Sequence, residues 1–262
     1  MLDAGRYGPW ALVAGASEGI GLAFVKAIAA AGINIVMVAR RAELLAASAE
    51  EVRAETGVEV RTLQAELAEP GIVDRLRAVT DDIEVGLLVF NAAAANFKPF
   101  LDQNEEELLA AIRLSCTAQS LIVQHYARLM APRGHGGILL VSSLAGCAGI
   151  PNMAAYSGAK AYTQLFGEAL WAELKPQGVD VFVQVVGSTD TPRRRASGAG
   201  AVPGIPVLTP EAVVTHALTN IADGPVQVAP PLQPMFDKIC TARRADAVQL
   251  QRADIKVSDR IF

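Results

Sequence analysis

A chain of 262 residues, 52% hydrophobic and 19% charged, is long enough for one sizeable core and too apolar to stay disordered. Its 23 Lys and Arg against 27 Asp and Glu give a net charge of -4, without the basic excess that a phosphate backbone demands, which argues against nucleic-acid binding. The opening MLDAGRYGPW is not a secretory signal and no long uncharged apolar run follows, so the expectation is a soluble, cytoplasmic protein without an integral membrane segment.

Short β-branched runs alternate with Ala-rich helical stretches, the pattern of βαβ units around a buried parallel sheet. Trp10–Ala14 reads as the first strand, followed by a helix over 20–31, a strand at Asn34–Ala39 and a helix over 42–55. A strand over 58–64, a helix over 71–79 and a strand at Val85–Phe90 come next, then a long helix over 105–130. A strand over 137–142, a second long helix at Ala154–Leu174 and a strand over 180–185 complete the regular alternation. The stretch 192–208, rich in Gly, Pro, Ser and Ala and headed by Arg193, Arg194 and Arg195, reads as a mobile loop. Thr209, Pro210 and Glu211 form an N-cap, a first-turn proline and an early acid, starting a helix to about Ala222. A short seventh strand is placed at 226–229, and 230–262 is a variable segment. No repeat or linker divides the chain, so residues 1–262 are expected to form one α/β domain, a doubly wound, mostly parallel sheet with helices on both faces.

The first strand runs into Gly15-Ala16-Ser17-Glu18-Gly19-Ile20-Gly21. Glycines at a strand-to-helix turn allow a tight bend and let backbone N–H groups approach a pyrophosphate at the positive end of the helix, so these residues are assigned to a dinucleotide. Sites for NAD place an acid at the end of the second strand to hold the ribose 2'-hydroxyl. Here that place reads Val38-Ala39-Arg40-Arg41, whose guanidiniums suit a 2'-phosphate, with Ser17 as a further donor, so NADP(H) is the expected cofactor. Arg40 and Arg41 as solvated surface charges remain the alternative.

Tyr156-Ser157-Gly158-Ala159-Lys160 places a phenol and an amine on one helix face. A phenol titrates near pH 10, and a neighbouring ammonium lowers that value, so Tyr156 is the candidate acid or base and Lys160 its tuner. Ser143, at the end of the fifth strand, is the candidate holder of a substrate oxygen. Tyr162 has no such partner and is assigned to packing. His125, His135 and His216 are isolated, Cys116, Cys147 and Cys240 are far apart in the sequence and assigned to core packing, and GxSxG is absent, so neither a metal nor a hydrolase is expected.

Taken in order, Gly15xxxGly19xGly21, Asn91-Ala92-Ala93-Ala94, Ser143, Tyr156xxxLys160 and the stretch from Gly187 to Thr191 resemble the short-chain dehydrogenase/reductase family from about Tyr7 to Ile221. The resemblance implies a Rossmann fold and hydride transfer between an alcohol and a carbonyl. Tyr156 would exchange the proton, Lys160 would also hold the nicotinamide ribose, and Ser143 would orient the oxygen. It also assigns Glu66 and Leu67 to the adenine, Asn91, Ala92 and Ala93 to the cofactor floor, and Thr189 and Thr191 to the carboxamide. The chain departs from the family pattern in four places: NAAA for NNAG, Glu66-Leu67 for Asp-Leu, Val186-Gly187 for Pro-Gly, and Ser115 where an Asn normally supports a water-linked proton path to the lysine.

Tyr7-Gly8-Pro9-Trp10-Ala11, the strand after Asp82 and the helix after Thr209 resemble the 17β-hydroxysteroid dehydrogenase and long-chain 3-oxoacyl reductase branch. This implies a lipophilic ketone or secondary alcohol, steroid-like or fatty-acyl-like, entering beneath the 192–208 loop, and a homodimer or homotetramer built through the two long helices. A catalytically weak NADP-binding regulatory or scaffold protein of the same fold is the competing reading.

Overall fold

The computed structural model describes residues 2–95, 97–196 and 206–253. Seven parallel strands, β1 (Trp10–Ala14), β2 (Asn34–Ala39), β3 (Val60–Gln64), β4 (Val85–Phe90), β5 (Gly136–Ser143), β6 (Val179–Val186) and β7 (Val226–Val228), lie in the order β3-β2-β1-β4-β5-β6-β7. Helices α2 (Gly19–Ala30), α3 (Ala42–Thr56) and α4 (Ile72–Thr80) alternate with the first strands after a short α1 (Ala4–Tyr7). Farther along are α5 (Glu105–Ile112), α6 (Gln119–Met130), α7 (Ala154–Leu174), α8 (Pro192–Ala196), α9 (Pro210–Thr219), α10 (Gln233–Thr241) and α11 (Arg244–Ala253).

The near-continuous apolar strands divide their side chains between two cores by the two-residue pleat. Ala11, Val13, Ile35, Met37, Leu87 and Val89 pack with Phe24, Ile28 and Val52 of α2 and α3. Their neighbours Leu12, Ala14, Val36, Val38, Leu88 and Phe90 pack with Leu76 of α4 and Ile122 and Tyr126 of α6 on the other face. The strand order reverses between β1 and β4, so the carboxyl ends of β1, β4 and β5 border the crevice where such sheets bind ligands.

Several boundaries differ from expectation. The long helix over 105–130 is two helices joined by a π-helical turn, Arg113–Ala118, which periodicity cannot distinguish from a continuous helix. Asn104 and Glu107 form a capping box at its start. The head of the supposed loop is helical as α8, and its 197–205 part lies outside the described residues. The helix from Pro210 ends at Thr219, with Thr209 capping it as expected.

The segment after β7 is ordered through α11. Its Leu232 and Ile239 join Leu144, Cys147 and Val185 in a third apolar cluster, so this part of the chain packs on the turn after β5.

Candidate active site

At the carboxyl end of β1, Gly15 adopts φ +84° and Gly19 φ +57°, conformations that favour glycine. A Cβ at Gly15 would lie 2.9 Å from the backbone of Ala92, and one at Gly21 would run into the Gly15 carbonyl. The Asn91 amide donates to that same carbonyl at 3.0 Å, so the end of β4 supports the turn. Glu18 caps α2 without a side-chain hydrogen bond, which leaves the first-turn N–H groups for an anion. Thr191 lies over the turn, its Cγ2 3.1 Å from where a Gly19 Cβ would stand, and Thr189 and Gly187 precede it after β6. An uncapped helix end behind a glycine cradle fits a dinucleotide pyrophosphate.

Arg40 and Arg41 stand at the end of β2 as expected, but each meets a carboxylate. Arg41 Nη2 lies 2.7 Å from Glu18 Oε1, and Arg40 Nη1 lies 3.2 Å from Glu66 Oε2. Leu67 is buried in the apolar core. Ser17 is buried, with its carbonyl accepting from the Ser48 hydroxyl.

Ser143 ends β5 and accepts from Ala145 N at 3.2 Å, which fixes its hydroxyl at the start of the following turn. The Ser143 side chain favours the phenolate form of Tyr156. Lys160, 3% exposed, donates from Nζ to Val141 O at 2.7 Å and stands 5.8 Å from the Tyr156 ring centroid. The expected tuning takes a different form: burial raises the Tyr156 pKa, and the opposing influences are the Ser143 side chain and the Arg193 charge, not Lys160. Arg193 is brought close because its guanidinium donates to Ala93 O and Ala95 O, tying α8 across to the segment after β4.

Burial pushes Lys160 down to about 8. The folded protein therefore binds fewer protons here than the unfolded chain above that pH, and stability rises with pH through this group. From pH 8 to 9 this group should add about 1 kcal/mol to the urea unfolding free energy, read as the difference between wild type and Lys160→Met because the raised thiols act in the opposite sense over the same interval in both. Lys160→Met should remove that gain.

Two further positions were not marked by the sequence, because glutamines on helices carry no motif. Gln164 donates from Nε2 to Ser143 O at 2.9 Å and to Ser142 Oγ at 3.1 Å, locking α7 to the end of β5. Gln119 accepts from Thr163 Oγ1 at 3.1 Å, while its Nε2 is buried without a protein partner. Ser115, 1% exposed in the π-helical turn, likewise leaves its Oγ unpartnered. Tyr162 is partly exposed, stacked on Phe166, rather than in the core.

Beside the Ser143 turn lies an open cavity of about 460 Å³, lined by Ala145, Gly149, Ile150, Ala154, Arg244 and Val248. With one cation among apolar walls, it suits a lipophilic molecule.

Residues 9–201 match the short chain dehydrogenase family, and the chain belongs to it. It is 34% identical over 220 residues to a 7β-hydroxysteroid dehydrogenase of Collinsella aerofaciens, covering 82% of this chain and 84% of that protein. It is 35% identical over 182 residues to a very-long-chain 3-oxoacyl-CoA reductase of Podospora anserina, covering 68% of this chain and 54% of the other. A solved structure of a 7β-hydroxysteroid dehydrogenase superposes with TM-score 0.89 at 30% identity, covering 96% of this chain and 99% of its own. A short-chain dehydrogenase from Sphingobium yanoikuyae in complex with NADPH gives TM-score 0.78 at 28% identity, over 91% and 99%. The protein is thus an oxidoreductase of CH–OH and C=O groups, similar to hydroxysteroid dehydrogenases and 3-oxoacyl reductases. Among the described residues, no helix is long and apolar enough to cross a membrane.

Proposed function

We propose that the protein is an NADP(H)-dependent reductase that interconverts a lipophilic ketone, steroid-like or fatty-acyl-like, and its secondary alcohol. The observation that carries this reading is Lys160, one helical turn beyond Tyr156 and anchored by Nζ to Val141 O, at the end of the strand that carries Ser143 and borders the same crevice as the glycine turn. A bound nicotinamide dinucleotide supplies or accepts the hydride. Gly15 through Gly21, Asn91 to Ala93, Thr189 and Thr191 hold it, and Arg40 and Arg41 select the 2'-phosphate.

Ser143 donates to the substrate oxygen and holds it at the phenol. Tyr156 gives its proton to that oxygen in reduction and recovers it in oxidation. Burial keeps the phenol protonated at neutral pH, which suits a donor, while the Arg193 charge and Ser143 limit the cost of the phenolate left behind. Lys160, anchored through Val141 O, holds the ribose and returns protons to Tyr156. The test is NADPH oxidation, followed by absorbance, with a panel of steroid, acyl and aromatic ketones. Binding without turnover across the panel refutes the reductase reading and favours the scaffold.

Ser115 serves as the outer end of the proton path. Its Oγ is buried without a protein partner, as is Gln119 Nε2, and such a buried hydroxyl suits a water. Ser115→Ala is expected to lower kcat by roughly 10-fold with the NADPH Kd unchanged, measured by steady-state kinetics and by titration. An unchanged kcat would remove Ser115 from the path.

Homo-oligomerisation through the long helices is supported by Leu121 and Leu129 on α6 and Leu165 on α7, exposed by 50%, 45% and 67%. Leu165→Glu should shift sedimentation toward the monomer with the fold retained by circular dichroism.

A further inference from the structure

β7 is the outermost strand of the sheet on its side, three residues long, with Pro225 before it and Pro230 just beyond it. Prolines bracketing so short an edge make it a poor template for another strand. Against it lies an open cavity of about 410 Å³, within the range of small-molecule sites. It is two strands away from β5 and shares no residue with the candidate active site. Val226, Val228, Pro230 and Phe236 give it apolar walls, and His216 of α9, Gln227 and Gln233 are its polar members.

The hydrogen bonds fix what the histidine can do. Gln184, fully buried on β6, donates from Nε2 to Val185 O at 2.9 Å, which leaves its Oε1 to face α9. His216 Nδ1 stands 2.7 Å from that Oε1 and carries the ring proton, since a carbonyl oxygen can only accept. Phe182 packs beside the ring, with centroids 6.3 Å apart, so the imidazole is held on two sides. Burial lowers the His216 pKa, so the ring is neutral at pH 7 and Nε2 keeps a lone pair. The two glutamines are tied by Nε2, Gln227 to Asp223 O at 3.1 Å and Gln233 to the Asp237 carboxylate at 2.8 Å. The lining therefore holds a fixed acceptor and an acid close to its rim, and no cation.

We propose that this cavity is a second ligand site, for a neutral lipophilic alcohol or phenol whose hydroxyl donates to His216 Nε2 while its hydrocarbon part lies on Val226, Val228, Pro230 and Phe236. A hydroxyl supplies the donor that the lone pair calls for and carries no charge that needs a partner. A carboxylate would meet a lone pair instead of a donor, close to the Asp237 carboxylate and without a cation to offset its lost hydration. A bare hydrocarbon would cover the apolar walls but shut water away from Nε2 and put nothing in its place.

The test needs neither cofactor nor turnover, so its outcome does not depend on the reductase reading. 2-Naphthol, naphthalene and 2-naphthoate are titrated into the protein at pH 7, with binding followed by probe fluorescence. 2-Naphthol should bind, and the other two should bind about tenfold more weakly or worse. His216→Leu keeps apolar bulk and removes the acceptor, so it should bring 2-naphthol down to the level of naphthalene. Because that change also strips Gln184 Oε1 of its donor, a second variant is needed that leaves the buried amide alone. Gln233 is exposed at the start of α10, and Gln233→Trp should fill the mouth of the cavity and weaken 2-naphthol at least tenfold with the circular dichroism spectrum unchanged. No 2-naphthol binding, or an isotherm that both variants leave unaltered, overturns the site. 2-Naphthoate binding as tightly as 2-naphthol overturns the role given to His216. A 2-naphthol Kd that rises with protein concentration would show that a second copy of the chain covers this edge, and would equally overturn the proposal.

Discussion

Tyr156→Phe is expected to lower kcat for ketone reduction by about 10³-fold or more and to leave the NADPH Kd within about twofold, as measured by steady-state kinetics and fluorescence titration. The substitution removes one oxygen and keeps the ring that stands over Lys160 Nζ at 5.8 Å. The glycine turn lies on a different strand end and is untouched. The proton on the product oxygen would then have to come from water or from Ser143, whose hydroxyl titrates far above neutrality. Retained turnover would remove Tyr156 from the chemistry. Reaction direction gives an independent check. Burial raises the phenol, so oxidation of the alcohol, which needs the phenolate, should keep accelerating above pH 9 in the wild type, while the Phe variant should show no such rise.

The sheet was legible because most of its strands are apolar nearly throughout, as a sheet covered on both faces requires; the structure sends Val13 to one core and Leu12 to the other. The ends of β1, β4 and β5 were equally legible, because glycines, an asparagine and a serine interrupt apolar runs where a strand must stop. The π-helical turn was not, since Arg113–Ala118 keeps helical composition and differs only in hydrogen-bond step. The electrostatics around Tyr156 were misread for a related reason. A spacing of four places Lys160 on the right helix face but does not show that its Nζ is committed to Val141 O, nor that Arg193, 37 positions along the chain, is pulled in by carbonyls of Ala93 and Ala95. The pairing of Arg40 and Arg41 with acids is likewise a tertiary fact, since Glu18 and Glu66 come from other segments.

That pairing shapes the second large expectation, for the double variant Arg40→Ala with Arg41→Ala. In the wild type a 2'-phosphate must draw the guanidiniums away from Glu18 and Glu66, so its binding is an exchange of partners rather than a new contact. The exchange favours phosphate, which carries close to two negative charges and three acceptor oxygens against one charge on each carboxylate. Both ion pairs are largely solvated, with Arg40 and Arg41 side chains 68% and 56% exposed, so little is given up when they open. The double variant should therefore raise the NADPH Kd by about 10²-fold, from two lost charge-assisted contacts of roughly 1.5 kcal/mol each, while the NADH Kd moves by less than about threefold. Glu18→Gln should act in the reverse sense, tightening NADPH by freeing Arg41. Titration of both cofactors at two salt concentrations checks this. The NADPH preference should shrink as salt rises in the wild type and be nearly salt-independent in the double variant. Equal losses for NADH and NADPH would show that the arginines hold the turn rather than read the phosphate.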